Sequence, residues 1–150
     1  MASLFLLSLY LVSSFFTGGA PSGIAGEESP VSFVPCHIYL DSGEHPLAAY
    51  QFELKIKRGD VKIVGVEGGE HPAFGDAPYY DPAALSRNRI IIAAFNTAES
   101  LPTGRTRIAT LHLQVTGEVV PDYESVLTVS ADAEGKSIPT TITFEQGESK

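Results

Sequence analysis

A chain of 150 residues with 43% hydrophobic and 19% charged residues has room for one packed domain and is too apolar for wholesale disorder. Its net charge of −8, with ten scattered Lys and Arg residues, excludes a nucleic-acid interface. A single cysteine, Cys36, excludes an intrachain disulfide framework and reads as a small buried hydrophobe.

Residues 1–25 carry no charged side chain. The run LFLLSLYLVSSFF at 4–16 is too short to span a bilayer comfortably as a helix. Gly23 and Ala25 place small residues at the −3 and −1 positions of a cut before Gly26. This is the layout of a secretory signal peptide, although the usual basic residues before the apolar run are missing. The alternative is an uncleaved N-terminal anchor. The expected folded unit is 26–150, secreted or extracytoplasmic, with no membrane span in the mature chain.

After that point the hydrophobic period is two. CHIYLD offers Cys36, Ile38 and Leu40 on one side. AAYQFELKIK turns Tyr50, Phe52, Leu54 and Ile56 one way and Gln51, Glu53, Lys55 and Lys57 the other. That alternation is a strand with one buried face. VKIVGV at 61–66 is strand-like with an ambiguous inner face, and RIIIAAF at 89–95 reads as a central strand covered on both faces. RIATLHLQVTG points Ala109, Leu111, Leu113 and Val115 inward, and Thr110, His112, Gln114 and Thr116 outward. VLTVSADA buries Leu127, Val129 and Ala131, and TTITFE buries Ile142 and Phe144. Gly- and Pro-containing turns separate these runs. The one helical stretch, DPAALSRN at 81–88, is a turn or two with Asp81 as cap and Pro82 at the first position. The fold class is all-β: a single jelly-roll-like sandwich of about nine strands.

The tetrapeptide GEHP occurs twice, at 43–46 and 69–72. Each proline biases the preceding histidine toward an extended backbone, and each glycine supplies a turn. No HExxH or His-x-His spacing accompanies them, so His45 and His71 read as turn residues, not metal ligands. Glu67, Glu70, Asp76 and Asp81 crowd the 67–81 loop without the periodic ligand pattern of a calcium loop, and read as a solvated acidic loop. Cys36 and His37 are adjacent and so face opposite ways on a strand, and a G-x-S-x-G elbow is absent. Arg58-Gly59-Asp60 reads as a strand-to-strand turn. Tryptophan is absent, which leaves Tyr79, Tyr80 and Tyr123 in loops, and an outward Tyr39, as the aromatic groups for stacking on a sugar.

The segment HPLAAYQFELKIKRGDVKIVGVEGG resembles the early strand pair of cohesin domains, with its I-x-A-x-Q-F-x-L and V-x-x-V-x-x-G runs. RNRIIIAAFNTAESLPTGRTRIATLHLQVTG resembles a later cohesin pair, and VLTVSADAEGKSI the closing strands. The likeness covers 31–146 and is one of strand and turn order. It implies the sandwich that cohesins share with certain carbohydrate-binding modules, extracellular and without catalysis. In cohesins a flat sheet face receives a dockerin helix pair. A secreted protein-interaction module with a dockerin-like partner is therefore the leading expectation. A carbohydrate-binding module, with a polysaccharide as ligand, is the second. An exported metal-dependent enzyme is the third. The expected binding surface is Gln51, Glu53, Lys55, Thr110, His112 and Gln114; no cofactor is expected.

Overall fold

The computed structural model describes residues 28–148. The expected signal segment lies outside them. Eight strands are described: β1 Val31–Asp41, β2 Ala49–Ile56, β3 Asp60–Gly68, β4 Tyr79–Tyr80, β5 Arg89–Phe95, β6 Arg105–Thr116, β7 Tyr123–Ala131 and β8 Thr141–Gln146. They form two four-stranded antiparallel sheets, ordered β3-β6-β1-β8 and β4-β5-β2-β7. The fold is an all-β sandwich of eight described strands, against an expectation of about nine. Consecutive strands alternate between the sheets at every step except β4 to β5.

The inner faces meet over Ile38, Leu40, Tyr50, Phe52, Leu54, Ile63, Ile90, Ile92, Ile108, Leu111 and Leu113, all 1% exposed or less. Each such aliphatic or aromatic side chain stabilises the fold by about 1.5–3 kcal/mol on burial. The Tyr50 hydroxyl is not wasted in this setting: it donates to the Ile108 carbonyl at 3.2 Å. Cys36 is fully buried, and burial pushes its thiol up to about 11. Leu127, Ile142 and Phe144 are half-buried against the same core.

Two expected phases are corrected, one of them by a β-bulge. Gln51 pairs with Val129 but Phe52 pairs with Leu127, so Thr128 is an extra residue in β7. Its hydroxyl donates to the Gln51 carbonyl at 3.0 Å. Beyond this bulge the phase reverses, and Val129 lies outside, 41% exposed, instead of in the core. In β6, Ile38 pairs with Ala109 and Tyr39 with Arg107; the extra residue, Ile108, is buried along with Ala109. The second correction concerns β5. Its inner residues Ile90 and Ile92 are buried, but Ile91 and Phe95 face solvent at 45% and 81% exposure. Nothing described covers that side. The ambiguous segment of β3 resolves to Val61 and Ile63 inward, with a bulge at Val64.

The turn chemistry follows the sequence. Asp81 accepts a hydrogen bond from Ala83 N and starts a 3-10 turn at Pro82–Ala84. His71 does the same for Pro72–Phe74, its Nδ1 accepting from Ala73 N at 3.2 Å. In the first GEHP, Gly43 has φ of +59° and His45 N–H returns to the Ser42 carbonyl at 3.1 Å. Both copies of the tetrapeptide are turns. Arg58-Gly59-Asp60 joins β2 to β3, with Gly59 at φ +89°.

Candidate docking face

The six residues expected to form one surface do not share a face. Gln51, Glu53 and Lys55 lie on β2, on the outside of the β4-β5-β2-β7 sheet. Thr110, His112 and Gln114 lie on β6, on the outside of the opposite sheet. The alternation of polar residues along two strands reveals which side is out, but not which sheet each strand joins.

The β6 trio is further corrected at Thr110, which is only 3% exposed. The His37 ring covers it, with Nδ1 3.0 Å from Thr110 Oγ1. His112 Nε2 lies 3.1 Å from Glu67 Oε1 but without the alignment of a hydrogen bond, so this contact is electrostatic when the ring is protonated. On the same face Arg105 stacks over Tyr39 at 3.5 Å and reaches Glu145 at 2.6 Å. Here the outer surface is a polar layer whose groups largely answer one another, while Val31 and Phe33 at the start of β1 leave apolar side chains on the same face. The acidic 67–81 loop is similarly engaged: Glu67 with His112, Glu70 with the Arg107 N–H at 2.9 Å, and Asp81 in its cap. Among the described residues no three His, Cys, Asp or Glu side chains converge as metal ligands.

The β2 trio has different surroundings. Register pairs Ala49 with Phe95, Gln51 with Ala93 and Glu53 with Ile91 across β5. On the other side Gln51 pairs with Val129 and Glu53 with Val126 in β7. Tyr79 extends the row beyond Ala93. Five large apolar side chains therefore point to solvent from one sheet: Tyr79 at 79%, Phe95 at 81%, Val126 at 56%, Ile91 at 45% and Val129 at 41%. Scattered single hydrophobes are ordinary on surfaces; five on the outside of one sheet single it out as the candidate docking face.

Charge at this face is balanced locally. Glu53 accepts two hydrogen bonds from Arg89, at 2.6 and 2.8 Å. The Arg89 guanidinium holds the Glu53 carboxyl below its usual range, and Glu53 raises Arg89 in turn. Lys57 and Glu124 are 2.9 Å apart. Lys55 has no carboxylate within ion-pair distance among the described residues. A chain of net charge −8 thus presents a face with little net charge.

Of the tyrosines considered for stacking, only Tyr79 is free on a sheet face. Tyr80 turns inward against the core, Tyr123 packs on Phe144 with centroids 5.5 Å apart, and Tyr39 lies beneath Arg105. Phe95, Ile91, Val126 and Val129 were not among the expected site residues. The signal for β5 was present in RIIIAAF, whose apolar residues on both faces fit a binding face as well as a covered strand. The signal for Val129 was hidden by the bulge.

Comparison of the chain with protein-family models, curated proteins and solved structures finds no match. No described helix is long and apolar enough to cross a membrane.

Proposed function

We propose that this protein is an exported, non-catalytic module that binds a protein partner through the outer face of the β4-β5-β2-β7 sheet. The carrying observation is the group of five exposed apolar side chains on that one face. The resemblance to cohesin domains supports the same use of a sheet face. Four strands at about 4.8 Å spacing and the seven residues of β5 at about 3.4 Å each outline a face of roughly 19 by 24 Å. A stable protein interface takes about 800 Å² per partner, so loops at the rim contribute as well.

A second reading has its own observation. Tyr79 and Phe95 are the two most exposed aromatic side chains on the face, on neighbouring strands, and suit stacking on a sugar. Affinity capture with the purified chain, run beside binding to insoluble polysaccharides, separates the two. A protein partner lost in Phe95→Ser and in Val129→Ser, and retained in His112→Ala, is the expected result. Retention on polysaccharide that depends on Tyr79 and Phe95 but not on Val126 or Val129 would replace the protein with a glycan.

A further inference from the structure

The two sheets differ in how their edges end. β1 has 11 residues, but its outer neighbour β8 has six and pairs only with Cys36–Asp41. The last cross-strand contact is Gly147 N–H to the Pro35 carbonyl at 2.8 Å. From Val31 to Val34 no described residue pairs with this edge of β1. The direction of its backbone groups follows from two flanking bonds. The Pro30 carbonyl accepts from Gly117 on the β6 side, whereas the Pro35 carbonyl accepts from the β8 side. No bulge intervenes, so strand alternation turns the N–H and C=O of both Val31 and Phe33 toward the open edge.

From Val31 to Val34 this edge lacks the charges and bulges that β3 and β7 carry. β3 carries Asp60, Lys62, Glu67 and a bulge at Val64; β7 carries Glu124 and a bulge at Thr128. The stretch PVSFVP at 30–35 carries no charge, and its outward side chains Val31 and Phe33 are each 52% exposed. A groove runs beside it, lined mainly by Val34, Val115, Val119 and Val120, with Val120 72% exposed and Glu118 its one charged residue. An unguarded strand edge with apolar flanks is a template for another strand.

We propose that the open edge of β1 pairs antiparallel with the same edge of a second copy of this chain. A two-fold axis near Ser32 satisfies the free backbone groups of both copies at once, since an isologous contact uses one patch twice. It also sets Phe33 and Val31 of one copy against those of the other. Two copies of net charge −8 repel as wholes, and this uncharged stretch adds nothing to that repulsion. Pro35, whose missing N–H faces this edge, and the β8 pairing that begins beyond it keep the added pairing short and in one register.

The test is the mass of the purified chain by analytical ultracentrifugation over a concentration series, with residues 1–25 present and removed. A reversible dimer in both forms is expected. Phe33→Pro removes an N–H that faces the open edge, not β6, and should shift the chain to monomer while its thermal melt at low concentration persists. Phe33→Lys, which keeps the backbone and adds like charge across the axis, should do the same and serves if the proline variant unfolds. Phe95→Ser, on the other sheet, should leave the dimer intact. A monomer at every concentration, association only with residues 1–25 present, or a dimer insensitive to Phe33→Lys would each overturn the proposal. A dimer lost in Phe95→Ser would move self-association to the docking face and also overturn it. Partner capture by Phe33→Lys tests the docking reading separately.

Discussion

Leu113 and His112 are neighbours in β6 with opposite fates, and they calibrate what a single side chain is worth here. Leu113 is fully buried, and Leu113→Ala should cost about 2–5 kcal/mol by chemical denaturation. His112→Ala removes only a half-exposed contact with Glu67 and should cost under about 1 kcal/mol. Val129→Ser, apolar but outside, should stay within about 0.5 kcal/mol. A loss at Val129 as large as that at Leu113 would refute the β7 bulge. Cys36 gives a pH signature. Its thiol titrates at 9.0 when accessible and at about 11 in the fold, because burial disfavours the thiolate. The folded chain therefore holds this proton more tightly than the unfolded one. The resulting stability is complete below pH 9 and is lost progressively between about 9 and 11. Denaturant midpoints across that range should fall, and in Cys36→Ala, whatever its baseline, this part of the slope should disappear. Alkylation of Cys36 at pH 8 should be slow until the chain unfolds.

At the level of strands, regular alternation was the readable part. Tyr50, Phe52, Leu54 and Ile56 in β2, and Leu111, Leu113 and Val115 in β6, are buried as their spacing requires. What the sequence concealed was every place where one extra residue breaks that period: Thr128, Ile108 and Val64. A bulge changes which face a side chain takes without changing composition, so Val129 lies on the outer face and not in the core. Sheet membership was equally hidden, because hydrogen-bond partners lie far apart in sequence. That is why Gln51 and Thr110 were grouped together and lie on opposite sides. The β3–β4 connection shows a constraint visible only in three dimensions. A Cβ at Gly69 would run into the backbone of Arg107 and Ile108, and one at Gly68 into Gly75 and Asp76. Gly69→Ala should destabilise by about 1–3 kcal/mol or more, since backbone cannot yield as a side-chain tip can. Gly104→Ala meets open space but sits at φ +68°, so it should cost about 1 kcal/mol. Thermal melts of the pair distinguish contact from conformation.

The molecule as a whole is two sheets with different outsides. One carries the paired contacts His37–Thr110, His112–Glu67 and Arg105–Tyr39, with Val31 and Phe33 exposed at the start of β1; the other shows five apolar side chains between internally balanced charges. A partner docked on the second should be held mainly by apolar contact. Its dissociation constant should therefore change less than about threefold between 50 and 500 mM NaCl, because the face offers few uncompensated charges to screen. A steep salt dependence would shift the contact toward Lys55 and the rim. The placement of β1 beside β8 has a mechanical consequence. The two strands run antiparallel, so the start of β1 and the end of β8 emerge at the same end of the sandwich. Tension drawn between those points loads the Gly147–Pro35 bond first, then each rung toward Asp41 in turn. Rungs that fail one at a time resist force far less than rungs sheared together. Stretched through residues 28 and 148, the domain should peel open from this edge, as a zipper does, long before its core strands bear the load.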